Sequence, residues 1–201
     1  MKKHLIIVLT LGLLISQNIF ADSPLTSTAF SKAYKDSKIV QLASQAEGKL
    51  NKELMDYLID KKNPIELKVA LINELSWDFN GKNNSELFSE YLKKNKVKNI
   101  NKASADILIC YAYLKALDNY FEVDEAITYA QKAKAKNKKK SYTINIICAL
   151  IEAQKAMDSN WCTVYTLTND VRIDETLTKD MKEEAVNIIF EYMDIYKDYC
   201  S

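Results

Sequence analysis

The chain has 201 residues, 28 Lys and Arg against 27 Asp and Glu, one His and four Cys. A net charge of +1 lacks the basic excess of a nucleic-acid binder, and 48% apolar with 27% charged residues excludes a disordered chain. Three Gly and two Pro provide few of the turn residues that an all-β or doubly wound α/β fold needs, so long helices with short connections are expected.

Met1 to His4 form a short basic start, and Leu5 to Ile15 an apolar run broken only by Thr10 and Gly12. With Ala21 ahead of Asp22, residues 1–21 read as a secretory signal peptide cleaved after Ala21. The apolar run is too short for a membrane-spanning helix, which needs about 20 residues. No second stretch of spanning length follows, so the processed chain is expected to be exported, periplasmic or secreted, with no transmembrane span. Processing removes Lys2, Lys3 and His4, leaving 26 basic and 27 acidic side chains and no histidine. That excludes a Ser-His-Asp or Cys-His nucleophilic site and any His-containing zinc site. The one Arg is Arg172, so the planar donor fork of bidentate anion recognition is nearly absent.

Residues 22–31 are small and polar and predict a flexible mature N-terminus. From 32 to 201 the apolar spacing is helical and predicts a single helical-repeat domain. Ile39, Leu42, Ala43 and Ala46 mark one stripe, and Leu50, Leu54, Tyr57 and Leu58 the next, with Gly48 as the stop between them. Asn63-Pro64 signals a helix start, with Asn as the cap, and that helix runs to about Trp77. Residues 78–84 are the strongest loop signal, followed by a helix over Ser85 to Lys94. Ile107, Cys110, Tyr111, Leu114 and Leu117 stripe a helix over 103–120, and Asp124 opens its partner. Ser141 caps a helix with Ile144, Ile147, Cys148 and Ile151, and Asn160 turns the chain into Trp161 to Leu167. The last helix is expected from Thr176 or Thr178 to the end, with Tyr192, Tyr196 and Tyr199 on one face.

Long helices thus begin near 64, 103, 141 and 178, intervals of 39, 38 and 37, each of the first three followed by a shorter helix. A lone amphipathic hairpin cannot bury its apolar face, so stacked pairs are the physical solution. Asp124 to Ala133, with the small residues Ala126, Ala130 and Ala133, resembles the second helix of a tetratricopeptide repeat. The preceding helix departs from that pattern: Cys110 stands where a large aromatic is expected, Leu114 where a small residue is, and no Pro closes the unit near Lys138. The intervals give a period of about 38 residues, and the resemblance implies a right-handed α-α superhelix, with the first helix of each pair lining a concave, solvent-facing side that includes Tyr113, Asn145 and Glu152. A HEAT-like stack with a period of about 40–47 and an irregular helical bundle are the alternatives.

An exported chain meets an oxidising compartment, where cysteines pair. Cys162 and Cys200 lie 38 apart, as do Cys110 and Cys148, which places each pair at equivalent heights in neighbouring units. Cys162–Cys200 is the expected bridge, tying down the C-terminus. Cys110 and Cys148 lie amid Ile and Leu, either as a second bridge or as buried thiols.

Lys132, Lys134, Lys136, Lys138, Lys139 and Lys140 form the densest basic run, and Lys93, Lys94, Lys96 and Lys98 another. Both follow the second helix of a pair and so fall on one edge of the stack. They face either an anionic partner or solvent, where Lys complements the helix dipole. Trp77, at a helix end before Gly81, presents an aromatic to a ligand or plugs the stack. There is no phosphate loop, nucleophile elbow or calcium loop, and no cofactor is expected. The function expected is a non-catalytic binding or adaptor protein for a protein or peptide partner, with Trp77, Tyr113, Asn145, Glu152, Lys138, Lys139 and Lys140 as candidate contacts. The alternatives are a carboxylate enzyme acting on envelope glycan or peptide, and an envelope-associated structural or toxin-immunity protein.

Overall fold

The structure, a computed structural model, describes residues 22–97 and 99–200. The leader expected over 1–21, and Lys98 of the second basic run, lie outside the described residues. Among the described residues the chain is all-α, with nine α-helices, three short 3-10 segments and no strand. The helices are α1 (Lys38–Ser44), α2 (Lys52–Ile59), α3 (Ile65–Leu75), α4 (Asn84–Lys94), α5 (Ala105–Asp118), α6 (Asp124–Lys136), α7 (Tyr142–Ala156), α8 (Trp161–Ile173) and α9 (Glu183–Met193). None of them is long and apolar enough to cross a membrane.

Helices α3, α5 and α7 touch one another and form the inner layer. They are apolar on nearly all sides, as central helices must be: Ile107 to Leu114 of α5 and Tyr142 to Ile151 of α7 are all buried. Helix α6 packs onto α5, and α8 onto α7, on the outside. The small face of α6 (Ala126, Ala130 and Ala133, all fully buried) lets its axis approach α5 closely. Helix α4 rests mainly on α5 rather than on the helix that precedes it. Inner helices start at 65, 105, 142 and 183, and outer ones at 84, 124 and 161. The intervals are 40, 37 and 41 for the first set and 40 and 37 for the second.

Local chemistry sets most of these starts. Asn51, Ser104, Ser141 and Asn160 each accept the amide three residues on, satisfying a helix N–H that has no partner within the helix. Gly48 sits at φ 73°, the left-handed region that glycine enters without a Cβ penalty. Asn63 is not the cap of α3. Its amide donates instead to the Tyr57 carbonyl at 2.9 Å, closing the end of α2. The start of α4 is capped from another helix: Asp118, the last residue of α5, accepts from the amides of Asn84 (3.0 Å) and Ser85 (2.6 Å).

Two expectations need correction. The last helix does not begin at 176–178. Thr178 bridges Ser141 through backbone bonds with Tyr142 and Lys140, and Asp180 accepts from the Thr143 amide at 2.9 Å. These residues serve the start of α7, so α9 begins only at Glu183. Nor is the segment 22–31 loose. Leu25, Thr28, Phe30 and Ser31 are 0–3% exposed, and a 3-10 turn over Phe30–Tyr34 lies between α3 and α9. Polar composition predicted mobility, but Ser23, Ser27 and Thr28 bond within the segment, and Asn73 of α3 holds the Ser31 amide and the Thr28 carbonyl.

Candidate functional site

A cleft of about 810 Å³ lies where α3, α5 and α7 begin. Three connections bring charge to it: Lys61 and Lys62 before α3, Asp106 at the start of α5, and Lys136, Lys138 and Lys139 before α7. Lys61 also borders a second cleft with Lys96 and Lys102. The two basic runs therefore share one edge, as their positions after outer helices predicted.

The carboxylates of the large cleft are already engaged. Glu66 accepts from the Tyr34 hydroxyl at 2.9 Å, Asp106 lies 3.8 Å from the buried Lys68 ammonium, and Asp180 caps α7. Lys136 donates to the carbonyls of Asn101 and Ala103, each at 2.9 Å. Lys61, Lys62, Lys138 and Lys139 are exposed, and among the described residues their ammonium groups make no ion pair or hydrogen bond. The loop that carries Lys138 to Lys140 is held firmly. Asn137 exchanges two bonds with Ser141 (2.9 and 3.0 Å), and Thr178 bonds the carbonyls of Lys139 and Lys140.

The opposite ends of α3 and α5 carry aromatic rings. Trp77 is half-buried, edge-on to Tyr120 at 5.1 Å. Phe79 and Phe121, 70% and 58% exposed, meet edge to face at 5.9 Å. Lys82 pins their loop: its ammonium bonds the Leu75 and Ser76 carbonyls at the end of α3, and its amide bonds Asp118. Trp77 thus supports the cluster and Phe79 is its exposed member. Phe121 was not singled out from sequence, although two aromatics directly after a helix end were a usable signal.

The inner-helix positions expected to face solvent do not. Tyr113 is fully buried, stacked on Phe30 at 6.3 Å, and its hydroxyl accepts from Asn73 at 2.8 Å. Asn145 is buried and donates to the Ser141 carbonyl of its own helix at 2.7 Å. Glu152 is half-buried and accepts from Gln131 of α6, so it faces the outer layer. For Tyr113 the physical reason is the N-terminal segment, whose Phe30 lies against its ring.

Cys162 and Cys200 are bonded, with Cα atoms 4.8 Å apart, as a chain folding in an oxidising compartment allows. Cys110 and Cys148 are free and buried, so the possible second bridge is not formed. Tyr192 and Tyr196 are buried with their hydroxyls 2.6 Å apart, while Tyr199 is exposed beside Trp161. The tyrosine stripe is therefore mainly core.

Burial pushes the Cys110 and Cys148 thiols from the ordinary 9.0 up to about 12. The folded chain thus holds protons that the unfolded chain gives up above about pH 9. These groups contribute stability in full below pH 9, and it is lost as pH rises toward 12. Urea denaturation across that range should show an alkaline decline, and iodoacetamide at neutral pH should label neither thiol until the chain unfolds. A thiol labelled at the rate of a free cysteine in the folded chain would contradict the burial.

No family model, curated protein or solved structure matches the chain.

Proposed function

We propose that this is an exported, non-catalytic binding protein, a tetratricopeptide-like helical repeat that engages an acidic segment of a protein partner along its lysine edge. The spacing of helix starts and the alanine face of α6 support the repeat reading. The bonded cysteines and the expected leader support export. One observation carries the binding role: four unpaired lysines from two distant connections converge on one cleft whose carboxylates are already engaged. A free ammonium attracts a carboxylate from solution, and several of them at one rigid edge sum to a field that steers association. The starts of three helices beside the cleft add positive potential of their own.

A labelled poly-glutamate peptide tests the reading. It should bind at low salt and weaken steeply toward physiological ionic strength, where the Debye length is about 8 Å. Reversing Lys138, Lys139 and Lys140 to Glu should abolish that binding. Because all three side chains are exposed, stability should change by only about 0.5 kcal/mol. Equal binding by the reversed chain, or none at low salt, would sink the proposal.

A further inference from the structure

We propose that the inner face of α3, α5 and α7 is a peptide-binding groove, and that residues 22–34 are its resident, displaceable occupant. The ligand class is a short segment carrying two aromatic side chains four residues apart on one helical turn.

The contacts divide as peptide recognition divides. Main-chain bonds give affinity whatever the sequence, and side-chain pockets give selectivity. Asn73 of α3 reads the main chain: its amide oxygen accepts from the Ser31 N–H at 2.8 Å, and its nitrogen donates to the Thr28 carbonyl at 3.0 Å. The same nitrogen donates to the Tyr113 hydroxyl of α5 at 2.8 Å, which fixes the orientation of the amide. Gln154 of α7 accepts from the Leu25 N–H at 3.4 Å.

Selectivity comes from two rings. Phe30 is fully buried against Tyr113. Tyr34, also fully buried, donates to Glu66 at 2.9 Å and accepts from the Lys182 amide at 3.0 Å. The Lys182 ammonium lies 4.9 Å over the Tyr34 ring and bonds the Ala33 carbonyl at 3.1 Å. The segment therefore spans from the first inner helix to the start of the last.

Three features make it separable from the stack it covers. Once the expected leader is removed, it joins the rest of the chain at one end, through the exposed turn Lys35-Asp36. Helices α3, α5 and α7 and their outer partners pack on one another without it, and α9 alone has it as its main neighbour. It also buries the polar side chains Ser23, Thr28 and Ser31, which return less free energy than the Ile and Leu of α5 and α7. Its opening is a local event below global unfolding, as expected for a terminal unit of low apolar content.

The test uses the processed chain and a fluorescent synthetic peptide of residues 22–36. In a chain with Tyr34→Phe, the ring stays while the hydroxyl's bonds to Glu66 and to the Lys182 amide go. The peptide, with its own Tyr, should bind that chain at least about tenfold more tightly than the unaltered chain, because a weakened resident costs less to displace. Asn73→Ala added to Tyr34→Phe should remove the binding. In the unaltered chain, amide hydrogen exchange of residues 28–34 should outpace that of α5 and α7. No peptide binding by a Tyr34→Phe chain that retains native circular dichroism would overturn the groove. Exchange of 28–34 only together with α5 and α7 would overturn displacement, and it decides the matter even if Tyr34→Phe fails to fold. Neither readout involves the lysine edge or an acidic probe, so this inference and the proposed function fail separately.

Discussion

Replacing Phe30 by Ala is expected to cost about 3–5 kcal/mol, the range for truncating a fully buried aromatic where the surroundings relax only partly. Phe30 has no exposed surface and lies against Tyr113, itself fully buried. The cavity would open beside the Asn73 amide, whose bonds to Ser31 and Thr28 depend on the same turn. At about 2–4 °C per kcal/mol for a chain of this size, the melting temperature should fall by roughly 6–20 °C. Calorimetry and urea denaturation measure it. A loss well under 1 kcal/mol would mean that 22–31 is as loose as its composition suggested, and the groove would lose its occupant.

Removing the disulfide by changing Cys162 and Cys200 to Ser together is expected to cost about 2–4 kcal/mol. The sequence separation is 38 residues, and the chain-entropy relation gives about 4 kcal/mol for a loop of that length as an upper figure. The bridge joins the first turn of α8 to the residue after the terminal 3-10 segment Asp194–Tyr199, whose Tyr196 is buried. Its loss should also let that segment fray before the rest unfolds. Accelerated exchange over 194–200, with α5 unchanged, would show the effect to be local. An unchanged melting temperature in the double variant would show that packing alone holds the C-terminus.

Much of the framework was legible because its causes are local. Ser104, Ser141 and Asn160 cap their helices through an amide three residues away, a distance that sequence contains. The alanine face of α6 announced a close helix pair, and the spacing of Cys162 and Cys200 announced a bridge. The shared edge of the two lysine runs was legible too, since both follow outer helices. Apart from Asn63, whose partner Tyr57 is six residues away, the errors fell where a partner comes from far along the chain. Asp118 caps α4 from a helix that begins later in sequence, and Asp180 claims a residue expected to be helical for the start of α7.

The inner face shows the same limit most sharply. Tyr113 and Asn145 sit where a helical repeat leaves solvent, and their periodicity is unchanged by what lies over them. Gln154 and Lys182 bind the segment 22–34 across sequence separations of 129 to 149 residues. From sequence alone came most of the helices, the pairing of α5 with α6 and of α7 with α8, and the Cys162–Cys200 bridge, because caps, apolar period and spacing act within one or two turns or repeat at fixed intervals. Tertiary structure alone decided which faces are open, because burial depends on which distant segment lies across a face, and no local pattern encodes that.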